Sequence, residues 1–137
     1  VTAESLTGGG IGAALTAISG SSAVYKGGVI SYTNEVKHEI LGVDQEILRR
    51  YGAVSMWTAG AMASGVRNLL QADVAVSVTG LAGPGGDEFG NPVGTVCIGY
   101  ADKYQRLAKQ YRFFGDREEI REQAVRAALE LVLEVNA

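Results

Sequence analysis

Two rhythms of apolar residues alternate along the chain. One recurs every three to four positions, as on a helix face; the other runs unbroken or alternates, as in a strand. "VTAESL" (1–6) reads as the end of a buried strand. "GGGIGAALTAIS" (8–19) then starts a helix, with Ile11, Leu15 and Ile18 at helical spacing and small alanines between them. After the turn-rich "GSSAVYKGG", the β-branched "GVISYT" (28–33) predicts a second strand. Two short helices follow, "NEVKHEILG" (34–42), ended by Gly42, and "DQEILRRYG" (44–52), capped by Asp44 and closed by Gly52.

A longer helix is expected over 55–71, capped by Ser55, with Trp57, Met62, Val66, Leu69 and Leu70 on its apolar stripe and Met56 also assigned to the core. "DVAVSVTG" (73–80) is nearly all apolar and reads as a central strand covered on both faces. The loop "LAGPGGDEFGNP" carries both prolines. "VGTVCIGYAD" and "YQRLAKQYRFF" predict an antiparallel pair joined at Asp102-Lys103. The last segment, 116–135, is the clearest helix. Asp116 and Glu119 stand at capping-box spacing, and Ile120, Ala124, Ala127, Leu131 and Val135 form the buried face. This alternation predicts an α/β fold: a three-layer α/β/α sandwich with a mixed β-sheet, in one domain over 1–137.

Charge and counting narrow the chemistry. A net charge of −3 supplies no basic stripe for nucleic acid. One cysteine, Cys97, and one histidine, His38, exclude a disulfide and a His/Cys metal site, while carboxylate-held Mg²⁺ stays open on counting alone. No apolar run reaches membrane length and no leader pattern is present, so no membrane partner and a cytoplasmic location are expected. Val1 falls inside the first strand, which suggests that a leading segment is missing.

Three strand exits carry the polar candidates. At the first, Ser5 and Thr7 precede Gly8, Gly9 and Gly10, and "GGGIGA" formally matches the dinucleotide pattern G-x-G-x-x-A. The match is poor, because the second strand ends in Tyr32 and Asn34 and not in an acid. At the second exit, "ISYTNEVK" delivers Tyr32, Asn34 and Lys37, a lysine that becomes a general base if desolvation lowers its pKa. At the third, "VTGLAGPGG" places Thr79 before Gly80, Gly83, Gly85 and Gly86, a loop whose bare amides suit an anion. If the strands are parallel, the exits share one sheet edge. His38 has no acid partner or nucleophile elbow, so a Ser-His-Asp triad is unsupported. Arg117 and Arg121 sit at the start of the last helix, where a cation is unfavourable unless an anion is near. Cys97 reads as a core residue.

Taken together, "TAESLTGG", "GGVISYTNEVK", "GAVS", "VTGLAGPGG", "PVGTV" and "GDREEIREQA" resemble the C-terminal domain of the competence/damage-inducible CinA proteins, over essentially the whole chain. That domain also occurs as a stand-alone nicotinamide mononucleotide amidohydrolase. The resemblance implies a hydrolase of pyridine-nucleotide salvage, converting nicotinamide mononucleotide and water to nicotinate mononucleotide and ammonia without cofactor or metal. It puts the motif serine and lysine on Ser5 and Lys37, with Tyr32 beside them. Thr7, Gly8, Gly9, Asn34, Thr79, Gly80, Gly83, Gly85 and Arg121, preferred to Arg117, would line the substrate pocket. Amides of the 8–10 turn would hold the oxyanion. Tyr32 would hydrogen-bond the lysine or the ring amide. The family commonly has cysteine after its serine, where this chain has Leu6. A non-catalytic nucleotide-binding or interaction module of the same fold is the alternative. Such domains often pair, and "AGAMASGV" (59–66) suits a subunit contact as well as a core contact.

Overall fold

The apolar run at 73–80 forms the middle strand of a five-stranded sheet in the computed structural model, which describes residues 1–137. The strands are β1 (Thr2–Glu4), β2 (Gly28–Ile30), β3 (Ala75–Gly80), β4 (Thr95–Ala101) and β5 (Arg106–Arg112). Their order is β2-β1-β3-β4-β5. β1 lies parallel to both β2 and β3, with Ala3 opposite Val29 and Ser77, whereas β3, β4 and β5 pair antiparallel. The sheet is therefore mixed.

Helices cover both faces. α1 (Gly10–Thr16) and α5 (Arg117–Val135) lie on one side, where Leu6, Ile11, Val76, Val78, Ile98, Tyr100, Ile120 and Leu131 form the larger core. α2 (Asn34–Glu39), α3 (Gln45–Tyr51) and α4 (Met56–Leu70) lie on the other, over Ala3, Leu41, Val43, Leu48, Met62, Val66 and Ala75. Alternation along β3 sends Val76 and Val78 to one core and Ala75 to the other, as the two-residue period of a strand requires. α4 sits close against β4, and a Cβ on Gly99 would collide with the Ala59 carbonyl oxygen. Asp116 and Glu119 form a reciprocal capping box at the head of α5.

Several boundaries and faces differ from the sequence reading. The first helix begins at Gly10, because Gly8 (φ +58°) and Gly9 (φ +107°) take left-handed backbone that starts no helix. The second strand shortens to Gly28–Ile30, and Thr33 becomes the N-cap of α2. Met56 and Trp57 are not core residues: they are 48% and 58% exposed, and Trp57 stacks on Tyr51 at the protein surface. Leu69 is half exposed too. The buried face of α4 is instead Ala59, Met62, Ala63 and Val66, mostly small residues that let the helix approach the sheet.

Candidate active site

The parallel pairing of β2, β1 and β3 brings their carboxyl ends to one edge. β1 leads to α1 on one face of the sheet, while β2 leads to α2 on the other. Ser5, just beyond β1, therefore stands where the crossovers diverge, the usual position of a ligand crevice in an open α/β sheet. Its amide donates to the Val78 carbonyl (3.0 Å), fixing it beside the β3 exit.

Lys37 reaches this point from α2. It is 1% exposed, one of the largest fully buried side chains of the protein. Its Nζ lies 2.9 Å from Ser5 Oγ, 2.6 Å from the Ser31 carbonyl and 3.2 Å from the Tyr32 carbonyl. None of the three salt bridges includes it. Burial without a compensating carboxylate pushes its pKa down to about 8. The neutral amine has two N–H groups and one lone pair. When the two carbonyls accept both N–H groups, the lone pair is left facing Ser5, whose hydroxyl then donates to it. That is the arrangement a general base needs.

The head of α1, after the glycine turn, is already occupied. Glu4, 2% exposed, accepts from Thr7 Oγ1 (2.6 Å), the Ile11 amide (2.8 Å) and the Gly12 amide (3.0 Å). The amides at the head of α1, where a dinucleotide phosphate would sit, thus carry the chain's own carboxylate. Gly8 and Gly10 donate to the Ser5 and Thr7 carbonyls (3.1 and 3.0 Å), so these two amides of the 8–10 turn are not free for an oxyanion. The amides of Leu6, Thr7 and Gly9 donate to no protein group. Thr7, expected to bind substrate, gives its hydroxyl proton to Glu4.

Arg121 closes the turn from outside: Nε donates to the Leu6 carbonyl (2.9 Å) and Nη2 to that of Thr7 (3.4 Å). Arg117, ranked second on sequence, spans the cleft mouth instead. Its Nη1 donates to the Gly83 carbonyl (2.6 Å) and its Nη2 meets the Tyr32 hydroxyl at 3.5 Å. Tyr32 itself is 61% exposed and contacts Lys37 through its carbonyl, not its ring, so the expected hydroxyl–lysine bond is absent. Thr79 is buried and donates to the Ala53 carbonyl (2.8 Å). Gly80 ends β3; beyond it the amides of Ala82, Gly83, Gly85 and Gly86 donate to no protein group. Asn34 is exposed in the first turn of α2 and bonds to none of these groups.

Leu6 packs into the α5-side core and is 4% exposed, so the residue after the serine faces away from the cleft. Cys97 is fully buried in β4, and burial pushes its thiol up to about 12, far from a nucleophile. No three His, Cys, Asp or Glu side chains gather to hold a metal ion. No helix is long and apolar enough to cross a membrane.

With this geometry in view, the family model described as the CinA C-terminal domain matches residues 1–136. The chain belongs to that family. A CinA-like protein of Salinibacter ruber is 50% identical over 128 residues, covering 93% of this chain and 31% of its own length. The chain thus spans about a third of the CinA-like relatives' length. A nicotinamide-nucleotide amidohydrolase PncC of Enterobacter agglomerans is 49% identical over 132 residues, 96% of this chain and 80% of that protein. The solved competence/damage inducible protein CihA of Agrobacterium tumefaciens superposes with a TM-score of 0.95 at 46% identity, covering 99% of this chain and 84% of that one.

Proposed function

We propose that this domain is a serine amidohydrolase that deamidates nicotinamide mononucleotide to nicotinate mononucleotide and ammonia. The observation that carries the reading is Lys37 Nζ, buried without a carboxylate, 2.9 Å from Ser5 Oγ. The relative named nicotinamide-nucleotide amidohydrolase supports the substrate.

In this reading Ser5 Oγ bonds to the carboxamide carbon as its proton passes to Lys37 Nζ. The Leu6, Thr7 and Gly9 amides, unengaged in the turn that follows Ser5, are the donors for the developing oxyanion. Collapse of the tetrahedral adduct breaks the C–N bond, and Nζ returns the proton so that ammonia leaves and not the amide ion. Water then attacks the acyl ester, gives its proton to Nζ, and the departing Ser5 oxygen regains it. The 5′-phosphate binds at the free amides of 82–86 and Arg117, which trades the Gly83 carbonyl for the anion. Since the α1 amides hold Glu4, the glycine turn takes the amide end of the substrate and the 82–86 loop the phosphate end.

Ammonia release from the free mononucleotide tests the reading. Ser5→Ala folds normally and loses turnover by on the order of 10⁴-fold or more. Near wild-type release from that variant would end the covalent mechanism.

A further inference from the structure

Glu4 occupies an unusual place for a buried acid. It forms no salt bridge, and its two oxygens instead accept from one hydroxyl and two amides on the far side of the Ser5 turn. Its main chain works in the opposite direction. The Glu4 carbonyl accepts from the Ser31 amide (2.8 Å) and Ser31 Oγ (3.5 Å), and the Ser31 carbonyl in turn accepts from Lys37 Nζ (2.6 Å). One residue therefore ties down both halves of the Ser–Lys pair, the turn that follows the serine and the strand exit that holds the amine.

We propose that Glu4 is a positioning residue: its carboxylate and carbonyl set the distance between Ser5 Oγ and Lys37 Nζ, and it moves no proton in the reaction. The inference rests on the reading of Ser5 as nucleophile. Charge matters here for a geometric reason. A carboxylate accepts from all three donors, whereas a glutamine at the same place turns an NH₂ toward at least one N–H or O–H and leaves donor facing donor. A turn that relaxes from that clash carries Ser5 with it, and misplacement of about 1 Å costs about 100-fold in rate.

The test uses the full chain and two readouts: steady-state ammonia release from nicotinamide mononucleotide, and the rate at which a fluorophosphonate labels Ser5 across pH. Glu4→Gln lowers kcat and the labelling rate together by about 100-fold. KM stays within about twofold, since the phosphate end of the site is untouched. The pH midpoint of labelling stays at the wild-type value, because positioning alters how often the pair is aligned and not the amine's proton affinity. Thr7→Val, which removes one donor and keeps the shape, gives a smaller fall in both rates, and Thr7→Ser restores them.

Thermal melting monitored by circular dichroism shows whether each variant is folded, and if Glu4→Gln is not, the Thr7 pair decides. Labelling of Glu4→Gln at the wild-type rate overturns the inference, as does equal loss in Thr7→Val and Thr7→Ser. A moved midpoint overturns it too, by making Glu4 a charge acting on Lys37. Wild-type protein that is neither labelled nor active marks the other failure, that of the nucleophile reading itself.

Discussion

The two glycine-rich loops at the sheet edge look alike in composition and differ in bonding. Between Ser5 and Gly12 the Gly8, Gly10, Ile11 and Gly12 amides are matched inside the protein, those of Leu6, Thr7 and Gly9 stay open beside the serine, and Glu4 and Arg121 grip the turn from its two sides. Between Gly80 and Asp87 the amides of Ala82, Gly83, Gly85 and Gly86 have no protein acceptor, and the one side chain across them, Arg117, is exposed. The first loop spends its hydrogen bonds on holding a hydroxyl still. The second keeps its donors for something that arrives. Glycine count does not distinguish the two; where each N–H goes does.

That contrast breaks most visibly at Lys37. If the first loop exists to hold Ser5 against a neutral amine, activity rises with pH to a plateau with a midpoint near 8, and Lys37→Met abolishes it, by on the order of 10⁴-fold. The same lysine has a stability signature. Its folded pKa lies below the 10.5 of the unfolded chain, so the unfolded state binds the extra proton between about 8 and 10.5. The penalty is full below pH 8 and lifts as pH rises. Urea unfolding of wild type against Lys37→Met should therefore shift in favour of wild type by up to about 3 kcal/mol across that window.

The second loop is probed at Arg117. Arg117→Met should raise KM for the mononucleotide by about 10- to 100-fold, the worth of one or two charge-assisted bonds, and leave hydrolysis of the unphosphorylated riboside nearly unchanged. The same treatment of Arg121 should lower kcat for both substrates, because its donors hold the turn of the nucleophile. Equal behaviour of the two arginines would erase the distinction between the loops.

The smallest effects compare glycines. Gly9→Ala forces a side chain onto backbone at φ +107° and should cost about 1–2 kcal/mol in thermal or urea unfolding. Gly85 has open space around it and no positive φ, so Gly85→Ala should stay within about 0.5 kcal/mol.

Much of this edge is legible in the sequence, and the reasons for what is not are physical. Strand exits bearing hydroxyls, a lysine one helical turn past the second exit, and the capping box of α5 follow from local pattern. Partners far apart in the chain do not. Arg117 and Arg121 differ by one turn of the same helix, and only the packing of α5 decides which meets residue 83 and which meets residues 6 and 7. Trp57 misleads because size suggests burial, whereas α4 packs through Ala59, Ala63 and Val66 and leaves its first turn overhanging. Glu4 left one readable signal: an acid at the end of a buried strand, just before a short helix whose own N-cap, Gly9, offers no side chain.

The glutamate at the head of α1 has one more consequence, for how the protein meets dissolved ions. A charge carried on the chain is not diluted, exchanged or competed away, so dissolved anions do not replace it on the Ile11 and Gly12 amides. Added inorganic anions meet vacant amide donors elsewhere, at the rim beneath Arg117 and at Leu6, Thr7 and Gly9.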